Sequence, residues 1–412
     1  VKKAWKMKIG VVRETFPGER RVGLVPSLLG PLCKAGLEVL IESGAGQLAG
    51  YPDSEYQEKG AAILATRDEV FQQADILFQV RTGGANPDAI QEDLPRYRKG
   101  QVVIGMADPM WRPDSIQQLA DCGVTLFALE KLPRISRAQS MDVLSSMAML
   151  AGYRSVLLAS VALSKMFPMM MTAAGTVKPA KVFIVGAGVA GLQAIATARR
   201  LGAMVEAYDV RPAVKEEAES LGARFLEIPM DFEQSQDSGG YARQLDEAFY
   251  QRQREMMTRV VGESDVVITT AAIPGKKAPL LVTAEMVRGM RPGSVVVDLA
   301  AERGGNCEFT QSGKTVEEQG VTIIGPDNLP SDLAHDSSKL YAKNISTFLL
   351  HLLDEGQMKF DLEDEITRDT LILRDGLVLD QAVADLIEKP PTQDDPDAAT
   401  PDDSQTSPSN AN

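Results

Sequence analysis

A chain of 412 residues that is 44% apolar is long enough for two domains with separate hydrophobic cores. Its formal charge of -14 excludes nucleic acid or an anionic membrane surface as the main partner, although part of that charge lies in the C-terminal tail and says little about the folded body. Three scattered cysteines, Cys33, Cys122 and Cys307, with no CxxC spacing and only two histidines to help them, exclude a zinc site or a disulfide framework and point to a reducing compartment.

From Lys8 to about Glu130 the β-rich runs KIGVV, EVLIE, ADILFQV, QVVIGMA and VTLFALE alternate with amphipathic stretches near 27–36, 53–63, 67–73 and 113–121. Strands separated by helical patterns predict a parallel sheet covered on both faces. A long apolar helix follows over about 141–166; Arg154, Lys165 and Pro168 break the run, so it reads as a buried helix and not as a membrane span of about 20 apolar residues. The pattern restarts at KVFIVG and continues through MVEAYD, ARFLEI, DVVITTAA, SVVVDLA and VTIIG, a second α/β domain ending near Pro330. In SSKLYAKNISTFLLHLLDEG the residues Leu340, Ile345, Phe348, Leu349 and Leu352 recur at helical spacing, and this helix is expected to cross back to the first domain before the short strands TLILRDG and LVLDQ. From Lys389 onward Pro, Asp, Ser and Thr dominate, and too little apolar surface is available to offset the ordering entropy. The fold class is therefore α/β, with two Rossmann-like parallel-sheet domains joined by long helices. The first is discontinuous (7–140 plus 331–385), the second spans 141–330, and 389–412 is a disordered acidic tail.

In VFIVGAGVAG, Gly186, Gly188 and Gly191 form a GxGxxG array between a β-rich run and a helix pattern. The first glycine permits the tight turn, the second lets a pyrophosphate approach the backbone, and the third allows close helix–strand packing. The array alone is a weak signal, since glycines mark many turns. Here MVEAYD supplies the next strand and ends at Asp209, about 20 residues on, where a carboxylate accepts from a ribose 2′-hydroxyl and repels a 2′-phosphate. NAD(H) is expected over NADP(H). Arg211 is a counter-signal, because an arginine in this loop can hold a 2′-phosphate; a surface or adenine-stacking role is favoured. The expected binding set is Gly186, Ala187, Gly188, Val189, Asp209, Val210 and Arg211, with Thr270, Ala271 and Ala272 from TTAAIPGKKAP at a neighbouring strand end. Asp298, in VVVDLAAERGGNC, reads as buried structure. The polar segment carrying Gly239, Gly240 and Tyr241 reads as a solvated loop or as a flap that closes over nucleotide.

Oxidation of an alcohol or amine by NAD requires a general acid/base, usually histidine. Only His335 and His351 exist; the first is expected on a loop and the second within an apolar helix. Hydride passing from one nicotinamide to another avoids the problem, since no proton moves with it, and needs orientation and charge placement alone. The segment LPRISRAQSMDVLSSM suits that demand: Ser136 or Ser140 can cap a helix whose first turn carries Asp142, with Ser145 following, while Arg134 and Gln139 can reach a phosphate or carboxamide. The bland alternative is a polar helix cap with solvated arginines.

Over roughly residues 7 to 385 the motifs PRISRAQSMDVLSSMAMLAGYR, GAGVAGLQAIATARRLGA, TTAAIPGKKAP, VVVDLAAERGGNC, VVRETFPGERRVGLVP and LYAKN closely resemble domain I, the NAD(H)-binding component of proton-translocating NAD(P) transhydrogenases. The resemblance implies that Arg134, Gln139 and Asp142 orient the dihydronicotinamide, with Ser145 at its carboxamide, and that Tyr241 closes over the adenosine half. It also implies a homodimer docked on an NADP(H)-binding β subunit (domain III) and a membrane subunit (domain II), peripheral on the cytoplasmic side of a bacterial inner membrane, with no metal and no membrane-spanning segment of its own. The related alanine dehydrogenases use a first-domain histidine and an aspartate after a Rossmann strand. Here residues 7–140 contain no histidine and the equivalent acidic position is Glu302, while Arg21 matches a substrate-binding arginine of that relative. A non-catalytic NAD(H)-sensing module is the alternative of another class.

Overall fold

The computed structural model describes residues 6–228, 247–272 and 275–389. Tyr241 with its glycine pair, and the acidic tail beyond Lys389, lie outside the described residues. Contacts divide the chain into two compact units, Val1–Met147 with Pro274–Lys276 and Pro330–Asn412, and Ala148–Ile273 with Lys277–Leu329.

The first unit is built on an eight-stranded sheet in the spatial order Leu377–Val378, Leu371–Arg374, Thr125–Ala128, Val102–Met106, Ile76–Arg81, Lys8–Val11, Glu38–Glu42 and Ala62–Leu64. The six N-terminal strands are parallel, and the two C-terminal ones add antiparallel at one edge. The helix Ala334–His351 packs into this unit through Phe348, whose ring meets Phe127 edge-on at 5.5 Å, and through Tyr341, whose buried hydroxyl donates to the Gln79 carbonyl at 2.8 Å.

The second unit has a seven-stranded sheet in the order Arg224–Phe225, Met204–Tyr208, Lys181–Val185, Val266–Thr269, Val295–Asp298, Val321–Gly325 and Lys314–Glu318, parallel except for the last. Its central strands are continuous apolar runs because both faces are covered. Val182 and Ile184 point into one core with Val156, Ala159, Ala194 and Ile195, while Phe183 and Val185 point into the other with Met257, Val261 and Val287. Sequence periodicity missed the edge strand Lys314–Glu318 and the hairpin of Met170–Thr172 with Gly175–Val177, both short and solvent-facing. The run ARFLEI shrinks to a two-residue strand at the sheet edge.

The long apolar helix runs Val143–Ala162, and the division between the units falls inside it. Among the described residues it is the one helix long and apolar enough to cross a membrane by length and composition, with a mean hydropathy of 1.3 over a window that is 39% buried. Within the second unit it approaches the dinucleotide-type helix so closely that a Cβ on Gly152 would lie 2.1 Å from the Ala190 carbonyl oxygen. Backbone cannot yield as a flexible side chain can, so overpacking here separates the two helices. Gly152→Ala is expected to lower stability by roughly 2 kcal/mol or more, read as a lower urea midpoint, whereas the same change at the open Gly30 leaves the midpoint in place.

Candidate functional site

Three parallel strands of the second unit end side by side at one sheet edge, and each delivers one part of a cradle. After Lys181–Val185 the chain turns at Gly186, whose φ of +98° lies in the region that favours glycine. Gly188 then caps the helix Val189–Arg200, and a Cβ there would meet nothing nearer than the Arg211 guanidinium at 3.9 Å, so the space above it is open. Gly191 has the opposite environment: its Cβ would fall 1.8 Å from the Gly186 carbonyl oxygen, which forces glycine where helix and turn meet. These two demands are those of a dinucleotide turn, close packing below and clearance above for a pyrophosphate.

At the end of Met204–Tyr208, the Asp209 carboxylate receives four donors. Oδ2 accepts from the Ala187 N–H at 2.7 Å and Arg211 Nη2 at 2.9 Å, and Oδ1 from the Arg211 N–H at 2.9 Å and Nε at 3.0 Å. Burial pushes the Asp209 pKa up, but these bonds outweigh it and hold the carboxyl below its usual value. Arg211 is thus neither a free phosphate clamp nor a purely surface residue. Its side chain, 55% exposed, covers the carboxylate, and a ribose hydroxyl gains a place on Asp209 by displacing guanidinium N–H groups. Val189 and Val210, 43% and 61% exposed, flank the opening with apolar surface.

After Val266–Thr269, Thr270 donates its hydroxyl to the Gly186 carbonyl at 3.1 Å, which ties two loops of the cradle together. Ala271 is held on both sides by Asn306: its N–H donates to Oδ1 at 3.0 Å, and its carbonyl accepts from Nδ2 at 2.9 Å. Asn306 is fully buried and is fixed in turn by Asp298, a carboxylate of 0% exposure that accepts from Thr269 Oγ1, Thr310 Oγ1 and the N–H groups of Ala300, Asn306 and Cys307. Asp298 is accordingly structural. Asn306 went unassigned in the sequence because a glycine-rich Gly-Gly-Asn-Cys loop carries no signal that its amide will clamp a strand end some 35 residues away.

The orienting loop belongs to the first unit. Residues Ser136–Met141 form a 3₁₀ turn, with Arg134 before it and Gln139 within it, both exposed. The expected serine cap does not form. Asp142 itself caps the long helix, accepting from the Ser145 N–H at 2.9 Å and Ser145 Oγ at 2.5 Å, because it stands immediately before the first helical residue and its short carboxylate reaches the third.

The same unit holds several buried ionic groups. Glu19 and Arg21 form a bidentate pair, Nε to Oε1 at 2.8 Å and Nη2 to Oε2 at 2.6 Å, with Arg81 adding a contact at 3.6 Å. The arginine that matches a substrate ligand of alanine dehydrogenases is committed here to an internal partner. Glu14 accepts from the Val80 N–H at 2.6 Å and the Arg81 N–H at 3.1 Å, and Glu130 from the N–H groups of Ala107, at 2.8 Å, and Asp108. Burial raises both carboxyls to about 7, helped by Glu19 in the first case and Asp108 in the second. The histidines stand apart from the loop's orienting groups. His335 lies in the first turn of Ala334–His351, not on a loop, and stacks on Tyr51 at 4.7 Å, while His351 Nε2 is 2.8 Å from Asp364 Oδ2.

Two family models match end to end, the N-terminal domain described as Alanine dehydrogenase/PNT over residues 10–151 and the C-terminal domain of the same description over 155–381. The chain belongs to the alanine dehydrogenase/PNT family. Within it, the first segment of the split NAD(P) transhydrogenase subunit alpha of Rhodospirillum rubrum is 43% identical over 380 residues, covering 92% of this chain and 99% of the relative. The alanine dehydrogenase of Bacillus subtilis is 29% identical over 392 residues, 92% and 94% of the two chains. The solved transhydrogenase of Sinorhizobium meliloti superposes with a TM-score of 0.80 at 43% identity, covering 90% of this chain and 99% of that one. The family position matching the alanine dehydrogenase aspartate, Glu302, accepts from the Asn328 N–H at 2.7 Å.

A carboxyl whose folded pKa lies near 7, above the ordinary 4.5, favours folding fully at low pH, and this contribution is lost as pH rises through about 7. Glu130→Gln keeps the acceptor and removes the titration. Urea unfolding is expected to show equal stability for variant and parent near pH 5 and a variant about 2 kcal/mol more stable at pH 8.

Proposed function

We propose that this chain is the NAD(H)-binding subunit of a proton-translocating NAD(P) transhydrogenase. The observation that carries the reading is whole-length 43% identity to a relative named as the first segment of NAD(P) transhydrogenase subunit alpha, joined to a nucleotide cradle with clearance above Gly188. In this reading Gly186, Ala187, Gly188 and Val189 receive the pyrophosphate, Asp209, Val210 and Arg211 the adenosine ribose, and Thr270, Ala271 and Ala272 the flat side of the dinucleotide. Tyr241 closes over the adenosine half. Arg134, Gln139 and Asp142 orient the dihydronicotinamide, and Ser145, already bonded to Asp142, meets its carboxamide.

NADH supplies one hydride, which breaks its C4–H bond and forms a new C–H bond on the nicotinamide of NADP+ held by the partner β subunit. One ring is oxidised, the other is reduced, and no proton is left over. The protein's task is therefore to place, to orient and to exclude water. This fits a loop rich in Arg, Gln, Asp and Ser, and histidines engaged with Tyr51 and Asp364. The membrane subunit (domain II) couples transfer to proton movement, and this chain attaches through its partners on the cytoplasmic side of a bacterial inner membrane.

A second copy of the chain is a further partner. The hairpin Met170–Thr172 and Gly175–Val177 is exposed throughout, and nearby Met169, Met171 and Val161 are 59%, 78% and 86% exposed. So much apolar surface on one protruding element suits a covering subunit.

Mixing the chain and NADH with a domain III protein carrying an NADP+ analogue is expected to give direct hydride transfer, slowed by Asp142→Asn. Tight NADH binding without transfer would overturn the reading, alanine-dependent reduction of NAD+ would replace it with alanine dehydrogenase chemistry, and indifference to Asp142→Asn would point to a sensing module. Asp209→Asn is expected to weaken NADH binding roughly tenfold and to narrow the preference over NADPH, read by fluorescence titration of both nucleotides.

A further inference from the structure

The turn Ser136–Met141 has no side-chain cap at its N-terminal residue Ile135, so its placement depends on attachments from elsewhere in the first unit. One comes from within. Asn344, 5% exposed in the middle of Ala334–His351, donates Nδ2 to the Ser140 carbonyl at 2.9 Å. The other comes from outside, where Arg137, between Arg134 and Gln139, donates Nη2 to Asp364 Oδ1 at 2.8 Å, with Glu365 at 3.6 Å.

Asp364 is a junction of three elements. It receives Arg137 from the loop, lies 2.8 Å from His351 Nε2 at the end of Ala334–His351, and caps the helix Glu365–Thr370 by accepting from the Thr367 N–H at 3.3 Å and Thr367 Oγ1 at 3.2 Å. Burial opposes the charge, but His351, Arg137 and Thr367 overcome it and hold the carboxyl at about 2. Beside the junction a cleft of about 350 Å³ is lined by Arg137, His351, Lys359 and Asp361. Arg137 is 59% exposed there, and an exposed pair contributes little to global stability. Its main consequence is geometric: it sets where the outer half of the turn lies.

We propose that Arg137 and Asp364 form a latch that positions the orienting loop, which makes both of them positioning residues for hydride transfer. The proposal rests on the reading of Arg134, Gln139 and Asp142 as groups that orient the nicotinamide. With the latch broken, Asn344 still holds Ser140, so the turn persists while the residues before it lose their register. A displacement near 1 Å in such a site costs up to about a hundredfold in rate.

The test uses the full chain with Arg137→Gln, Arg137→Lys, Asp364→Asn and the double variant Arg137→Gln/Asp364→Asn. Asparagine preserves the helix cap, so Asp364→Asn removes the charge alone. NADH affinity is read by fluorescence, and single-turnover transfer to thio-NADP+ on a domain III protein gives the rate. The latch predicts transfer roughly tenfold slower for Arg137→Gln and for Asp364→Asn, NADH affinity within about twofold, most of the rate restored by Arg137→Lys, and a double variant no slower than either single. An unchanged rate in Arg137→Gln, or an equal loss in Arg137→Lys, overturns it. If the parent chain itself transfers no hydride, the functional reading fails separately. Amide exchange then decides the latch: faster exchange at residues 136–141 in Arg137→Gln, reversed in Arg137→Lys, supports it, and unchanged exchange overturns it.

Discussion

A parallel sheet buried on both faces leaves only its strand ends for polar chemistry, and every charge placed there has to be met by donors. Asp298 is the extreme case. An isolated buried carboxylate costs several kcal/mol, and this one is kept by five hydrogen bonds from Thr269, Thr310 and three backbone N–H groups. By meeting that demand the loops after two strands become fixed, and through Asn306 so does Ala271. The same solution recurs at Asp209, with four donors, and at Glu14 and Glu130, each held by a pair of N–H groups but still driven towards the neutral form.

The two units use that constraint differently. In the second, backbone close to backbone at Gly186 and Gly191 makes a cradle whose contents are recognised by shape and by one carboxylate. In the first, charged groups that serve substrates in alanine dehydrogenase relatives turn inward, as the Glu19–Arg21 pair illustrates, and the exposed polarity is concentrated in the turn around Arg134 and Gln139. A site that orients without donating or removing a proton can be made from such groups, because orientation and electrostatic placement carry the rate.

The glycine turn and its following acidic residue were legible because their chemistry is local: spacing within one βαβ unit dictates what the backbone can do. The central strands were legible for a similar reason, since burial on both faces writes a continuous apolar run. The hairpin at Met170–Thr172 and the edge strand Lys314–Glu318 were not, because exposed strands of three to five residues carry no period. The cap of the long helix was misassigned to serines although Asp142 supplies it, which depends on where the first helical residue falls, and that boundary is set by packing.

By itself the sequence determined the α/β class, the dinucleotide-type turn and the loop whose polar set lacks an acid or base, all of them properties of residues near one another in the chain. Only the tertiary structure decided that Arg211 covers Asp209, that Asn306 clamps Ala271 and that Asp364 gathers Arg137 and His351. The last two join residues 35 and 227 positions apart, and Arg211 could have pointed to solvent as readily as to its neighbour. Such pairings follow from folded geometry and the need to satisfy buried charge, which no local pattern encodes.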